Sequence, residues 1–380
     1  MDSRALRVLI ANPSPDVYGA DLQMLESVRA LVSGGCDVRV VVPGDGPLVE
    51  SLLTAGAAVG YLNVPVLRRA SMSPAGLVRL AAQVGRALPR MCRLLRRERP
   101  DVLYVNTITI PWWLVAARLT GVPVVTHLHE AEARDRAVVR RALMSPMLLA
   151  HRIIAISNTA RDAAVAAVPP LADRIRVIYN GVPSPPTSPS PAGHSAPHRL
   201  AVIGRLSPRK ATHVALEATA LLVARGYDVH LDVVGTCFTG YEWYEEELRA
   251  RASRDDLVGR ITFHGYRSPI WPELAASEIV LAPSLGEALG NVVIESQHSM
   301  RPVVATAVAG HRESIVDGQT GVLVPASDAV AMADAAQRLI DDPGHADVIA
   351  VAAARSADRR FSTHRYSTEI SEFVRSLGSR

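Results

Sequence analysis

A chain of 380 residues is too long for one ordinary hydrophobic core, so two domains are the natural expectation. Its content of 48% hydrophobic and 21% charged residues is that of a globular α/β protein, and three distant cysteines (Cys36, Cys92 and Cys237) without a CxxC pair argue against a disulfide framework and a zinc site. The net charge of +4 conceals an asymmetry, with 22 arginines against 14 acids up to Pro185 and 19 basic residues against 23 acids beyond it, which suits two domains with different partners.

Residues 7–11 read as a strand ended by the turn residues 12–15 rather than as the apolar part of a leader. The longest apolar stretch, 52–67, is interrupted by Gly56, Gly60, Asn63 and Pro65 and is too broken to cross a membrane. A soluble, cytoplasmic protein is expected, attached at most to the inner face of the plasma membrane. Further strands are predicted at 37–42, 58–63, 101–105, 122–127, 152–156 and 174–179, with helices at 21–32, 74–97 and 158–167. This alternation calls for a parallel sheet built from βαβ units.

The segment 76–99 places Arg79, Arg86, Arg90, Arg93, Arg96, Arg97 and Arg99 among Leu, Val and Met, with Pro89 predicting a kink. It reads either as a basic amphipathic helix for anionic lipid or as an ordinary solvated face in a chain whose basic residues are nearly all arginine. Nucleic acid is not an expected partner, because no aromatic platform accompanies the charge.

The run 181–197 is rich in Pro, Ser and Gly and reads as an extended linker. After it, strands are predicted at 199–203, 229–234, 260–264, 279–282, 302–305 and 321–324, with helices at 210–225, 244–252, 290–300 and 328–340. The expected organisation is a domain over 1–180, the linker, a second domain over 198–362, and an amphipathic C-terminal helix within 363–380 packing back on the first domain.

Two motifs in the second half carry chemistry. Strand 201–203 runs through Gly204 and Arg205 to Lys210 and a helix, and free backbone N–H groups with the helix dipole favour an anion there. Arg205 and Lys210 would add a planar fork and a point charge to one anion. Lys210 is the only lysine of the chain, which singles it out from the arginine background. The second motif, Pro283-Ser-Leu-Gly-Glu287-Ala-Leu-Gly290-Asn-Val-Val-Ile-Glu295, follows a strand and opens a helix. With Glu287 in the loop and Glu295 just over one turn into the helix, both carboxylates face one space, and the amides of Leu289, Gly290 and Asn291 are free donors beside them.

Together with Ile156-Ser-Asn158, Val177-Ile-Tyr-Asn-Gly-Val182, Pro302-Val-Val-Ala-Thr306 and Asp317-Gly-Gln-Thr-Gly-Val-Leu-Val-Pro325, these motifs resemble glycosyltransferase family 4 over nearly the whole chain. The resemblance implies a GT-B fold, two Rossmann-like, doubly wound parallel-sheet domains facing across a cleft. It also implies a retaining, metal-independent transferase that moves a hexosyl-type sugar from a nucleotide-diphosphate donor, in cell-envelope polysaccharide or glycoconjugate biosynthesis. By it Arg205 and Lys210 grip the donor diphosphate, Glu295 holds the ribose, Glu287 contacts the sugar, and the amides of Leu289, Gly290 and Asn291 recognise sugar hydroxyls. In the first half, Tyr18-Gly19-Ala20-Asp21 stands where relatives carry a glycine pair, leaving Gly19 for close approach to the phosphates. His129, in Thr126-His127-Leu128-His129-Glu130, matches the family's active-site histidine. The acceptor is expected to be a glycan, a small molecule or a lipid-linked, anionic compound. No cofactor beyond the sugar nucleotide is implied, and the chain lacks the Asp-x-Asp pattern of metal-dependent glycosyltransferases.

Rival readings are weaker. A nicotinamide enzyme needs a G-x-G-x-x-G after a first strand, and neither half has one. Gly235 to Gly240 has the glycine spacing of a phosphate loop, but Tyr241 and Glu242 stand where Lys and Ser/Thr belong. A nucleotide-sugar epimerase of the same fold and a non-catalytic nucleotide-sugar-binding protein remain as alternatives.

Overall fold

The computed structural model describes residues 4–17, 19–67, 73–130 and 137–378. The chain forms two compact units, residues 1–181 with 363–380, and residues 182–362.

Among its described residues unit 1 holds seven parallel strands: β1 (Arg7–Ala11), β2 (Asp37–Val42), β3 (Ala58–Tyr61), β4 (Val102–Asn106), β5 (Val124–Leu128), β6 (Arg152–Ala155) and β7 (Ile175–Val177). Their spatial order is β3-β2-β1-β4-β5-β6-β7, so the direction of winding reverses between β1 and β4. Central strands such as β4, sequence VLYVN, are buried at every position, as a sheet covered on both faces requires. The crossovers contain α1 (Gly19–Ser33), α2 (Pro47–Thr54), α3 (Pro74–Glu98), α4 (Trp112–Thr120), α5 (Ala137–Met144) and α6 (Asn158–Ala167). Ser73 caps α3 by accepting from the Gly76 amide at 3.1 Å, Pro74 follows it, and the helix runs to Glu98 as one element through Pro89. All seven arginines of this segment are exposed, whereas Leu80, Met91 and Leu95 are buried. Leu77 and Val78, near its N-terminus, are 50% and 72% exposed.

The last helix, α14 (Thr363–Gly378), belongs to unit 1. Its Tyr366, Ile370, Phe373 and Val374 enter the core formed by β1, β2 and α1. The Tyr366 hydroxyl meets Ser27 Oγ of α1 at 2.6 Å. A Cβ on Gly181 would fall 2.6 Å from Tyr366 Cβ, so only glycine lets the chain pass this ring.

Unit 2 holds six parallel strands: β8 (His198–Ile203), β9 (Val229–Val234), β10 (Ile261–Gly265), β11 (Ile279–Ala282), β12 (Val303–Thr306) and β13 (Val322–Val324). Their order is β10-β9-β8-β11-β12-β13, with the reversal between β8 and β11. Around them lie α7 (Thr212–Ala224), α8 (Glu242–Ala252), α9 (Trp271–Ala276), α10 (Asn291–His298), α11 (Ala309–Ser314), α12 (Ala329–Asp341) and α13 (Pro343–Phe361).

The proline-rich run that reads as a linker is laid along unit 2. The Val182 amide donates to Phe361 O at 2.8 Å, and Arg301 Nη1 donates to Ser190 O at 2.7 Å. His194 is held from both sides, with Nδ1 2.8 Å from Glu278 Oε1 and Nε2 3.1 Å from Asp347 Oδ1. His198 Nδ1 meets the other oxygen of the buried Glu278 at 2.8 Å. Composition announces extended backbone here, but a few polar anchors dock it.

Candidate functional site

In open parallel sheets, ligands bind outside the carboxyl ends of the strands where the strand order reverses. In unit 2 that place lies beyond β8 and β11, and both motifs sit there.

β8 leads into Gly204, whose φ of +143° suits glycine. A Cβ on Gly235, just after β9, would fall 1.9 Å from Gly204 O, so the two strand ends meet backbone to backbone. The stem of Lys210 folds back over Gly204 and carries its ammonium across to the loop after β11. There Lys210 Nζ donates to Glu287 Oε1 at 2.6 Å, and Ser284 Oγ donates to the same oxygen at 2.8 Å. Arg209 lies 3.8 Å from the second oxygen and stitches the loops by donating to Gly286 O at 2.6 Å. The Leu285 amide in turn donates to Arg209 O at 2.8 Å.

The two glutamates sit in opposite electrostatic settings. Burial alone would raise Glu287, but the adjacent Lys210 and Arg209 charges overcome it and hold the carboxyl down at about 2. Glu295, fifth residue of α10, is dominated by burial and pushed up to about 7, with Lys210 pulling the other way. One lysine therefore biases both.

Gly290 caps α10 in the left-handed region at φ +89°, and a Cβ there would come within 2.9 Å of His311 Cδ2. Gly310 is equally confined, since a Cβ on it would meet Glu287 O at 2.6 Å and Leu289 N at 2.7 Å. The buried His311 donates from Nδ1 to Thr306 O at 2.9 Å, which leaves Nε2 as the acceptor of a neutral ring, and burial lowers its pKa. A small cavity is lined by Gly204, Lys210, Ser284, Glu287, Gly290 and His311, among others.

The structure thus brings Lys210, Glu287 and Gly290 together. Asn291 opens α10, and Leu289 is buried beneath the loop. Glu295 does not line the cavity but lies within the field of Lys210. Arg205 carries its exposed guanidinium 3.3 Å above the Phe238 ring. Sequence reasoning passed over Arg209, Ser284 and His311, although Arg209 adjoins the lysine that was singled out.

Gly19 and His129 belong to unit 1. Gly19 opens α1, with nothing within 4 Å of where its Cβ would lie, and its neighbour Tyr18 falls outside the described residues. β5 ends at Leu128, one residue beyond the expected strand. His127 is fully buried, with Nδ1 2.5 Å from the Tyr104 hydroxyl, while His129 lies just past the strand with Nε2 2.7 Å from Asn106 Oδ1. Burial lowers His129 to about 3, so its ring is neutral. Among the described residues no group of three or more His, Cys, Asp or Glu is arranged to hold a metal ion, and no helix is long and apolar enough to cross a membrane.

Two parallel-sheet α/β units of this kind define the GT-B fold class. Residues 17–184 match the family described as Glycosyltransferase Family 4, and residues 197–342 match that described as Glycosyl transferases group 1. The chain belongs to glycosyltransferase family 4. It is 30% identical over 358 residues to the phosphatidyl-myo-inositol mannosyltransferase of Mycobacterium leprae, covering 90% of this chain and 87% of the other. It is 28% identical over 391 residues to the D-inositol 3-phosphate glycosyltransferase of Pseudarthrobacter chlorophenolicus, covering 92% and 88%. Among solved structures, Anabaena Alr3699/HepE in complex with UDP and glucose shares the fold with a TM-score of 0.82 at 23% identity, over 98% of this chain and 100% of that one.

Proposed function

We propose that this glycosyltransferase moves a sugar from a nucleotide-diphosphate donor, with retention at the anomeric carbon and without a metal ion, at the switch point of unit 2. The observation that carries the reading is the Lys210–Glu287 pair at 2.6 Å, which joins the cationic and the acidic loop where a ligand of a parallel sheet binds. An ammonium has three donors, so Lys210 serves Glu287 and still reaches a phosphate oxygen. As the glycosidic bond breaks, negative charge grows on the departing diphosphate, and a fixed cation aimed there stabilises the transition state more than the ground state. Arg205, from its seat on Phe238, adds positive charge at the outer side of the same loop. Glu295 takes the ribose hydroxyls, Glu287 the transferred sugar, and the amides of Leu289, Gly290 and Asn291 its hydroxyls.

The acceptor is a glycan or a lipid-linked, anionic compound of cell-envelope or glycoconjugate synthesis. The names of the inositol-phosphate relatives support one that carries phosphate. The exposed basic face of α3, with Leu77 and Val78 beside it, supports peripheral contact with an anionic membrane from the cytoplasmic side. Reversing Arg86, Arg90 and Arg93 to Glu then abolishes binding to phosphatidylserine vesicles, and persistent binding defeats this part of the reading.

A thermal-shift panel of UDP, GDP, ADP and their sugars tests the donor site. A ligand at 100 times its Kd adds about 2.7 kcal/mol, and Lys210→Ala removes the shift. No shift with any nucleotide, or an undiminished shift in Lys210→Ala, overturns the proposal. The anomeric configuration of the product, read by NMR, decides retention, and turnover unchanged by EDTA decides the metal.

A further inference from the structure

His311 is the third residue of α11, and its ring is held from two sides. On one side stands Thr306, the last residue of β12. Its hydroxyl gives its single proton to Ser284 O at 2.5 Å, and its carbonyl, 2.9 Å from His311 Nδ1, can only accept. The proton of the imidazole must therefore reside on Nδ1. On the other side lies Gly290, where a Cβ would fall 2.9 Å from Cδ2 and 3.2 Å from Nε2, so the ring packs against bare backbone. Burial lowers the pKa of the ring more than the Glu287 carboxylate and the Thr306 carbonyl raise it, and Lys210 adds to the lowering, so the ring is neutral. Nε2 is left as a lone pair that no described residue bonds, on a side chain only 2% exposed.

This ring shares its cavity with Lys210, Ser284, Glu287 and Gly290, all within unit 2. The volume of about 20 Å³ is room for one water-sized group. Lys210 Nζ and Ser284 Oγ both spend a proton on Glu287 Oε1. What remains is the His311 lone pair, which needs a donor, and the other two protons of Lys210, which need acceptors. A phosphate oxygen would suit the ammonium but would set its own lone pairs against those of His311 and the negative charge of Glu287. A hydroxyl carries one proton and two lone pairs and satisfies both partners.

We infer that this cavity is a one-hydroxyl subsite, in which a hydroxyl of the transferred sugar donates to His311 Nε2 and accepts from Lys210. The inference rests on the donor reading above and deepens it. The three protons of Lys210 go to Glu287, the sugar and the diphosphate, and His311 becomes a specificity-determining residue. A sugar without a hydroxyl at that position leaves a buried lone pair unpaired, which the site penalises.

The test is made on the full chain. In nitrogen-15 spectra of histidine-labelled protein at neutral pH, with the His311 ring assigned by its nuclear Overhauser contact with Gly290, Nδ1 should be protonated and Nε2 not. UDP-glucose, GDP-mannose and ADP-glucose are then added in turn, each beside its parent nucleotide. The sugar nucleotide that binds should move the Nε2 signal, and its parent, which has the ribose and phosphates but no sugar, should leave it in place. A proton on Nε2 overturns the inference without any variant having to fold. An Nε2 signal that a bound sugar nucleotide leaves unmoved, as a resident water would give, or that the parent moves equally, overturns it too. Monodeoxy analogues of the same donor then identify the hydroxyl. With the wild type one of them should lose about 10- to 100-fold in kcat/KM. His311→Phe, which keeps the bulk of the ring, should bring that one penalty to within about 3-fold and leave those at the other positions. A loss in His311→Phe spread evenly over all analogues marks a structural role and overturns the assignment of the residue. A protein that binds none of the three sugar nucleotides counts instead against the donor reading, and the inference falls with it.

Discussion

Replacing Lys210 by Met separates the electrostatics of the unit 2 site from its packing. The methionine fills most of the stem's volume over Gly204 and removes only the charge that Glu287 faces. Holding that carboxyl at about 2 rather than the ordinary 4.5 corresponds to about 3 kcal/mol of stabilisation of the carboxylate. Because the folded value is depressed, this contribution is present above pH 4.5 and is lost only as pH falls through 2. In the variant, burial is opposed mainly by the more distant Arg209, and the carboxyl rises. At pH 8 Lys210→Met therefore carries the full penalty of a buried, poorly paired charge. At pH 5 the group protonates and much of the penalty disappears. For a unit of this size about 3 kcal/mol corresponds to a fall in Tm of about 6–12 °C. Differential scanning calorimetry at both pH values reads it on the transition of unit 2. Adding Glu287→Gln should restore most of the loss, since the pair couples and the neutral amide needs no cation. A gap that is the same at pH 5 and pH 8, or a double variant no better than the single one, would refute the reasoning.

Other expectations follow from the same geometry. Gly310→Ala drives a methyl into the backbone of 287–289, costing about 1–3 kcal/mol, and should lower both Tm and nucleotide affinity; an unaltered melting curve would show that the loop yields freely. With Glu295 at about 7, donor affinity measured by calorimetric titration should rise with pH through neutrality as the carboxylate forms, and Glu295→Gln should flatten that profile. His194 is penalised by burial but raised on balance by Glu278 and Asp347, so its contribution is present below pH 6.5 and fades as pH rises through the folded value. His194→Gln should therefore lower the Tm of unit 2 at pH 6 and leave it unchanged at pH 9.

Strands 37–42, 229–234 and 279–282 were legible to the residue, because each is a short run dominated by Val, Ile and Leu between helix-like stretches. α13 was not. Pro343-Gly344 reads as a break, yet Asp342 accepts from the His345 amide at 3.0 Å and Pro343 occupies the first turn, where a missing N–H costs nothing. Lys210 stood out by being the only lysine, whereas His311 carried no local signal, since its tautomer depends on a carbonyl five residues back and its confinement on Gly290. The stacking of Arg205 on Phe238 joins positions 33 residues apart and belongs to tertiary structure. The docking of 182–197 likewise depends on Glu278 and Arg301, which nothing in a proline-rich composition announces.

The last helix closes the first core, and this sets an order of events during synthesis. Unit 2 is one continuous stretch, complete once Ser362 has left the ribosome, whereas unit 1 must wait for Tyr366, Ile370, Phe373 and Val374 to arrive. The usual sequence, in which the amino-terminal body matures first, is inverted here. Until α14 has emerged, the apolar flank of α1 stays uncovered, and a nascent chain stalled before that helix presents the flank to chaperones.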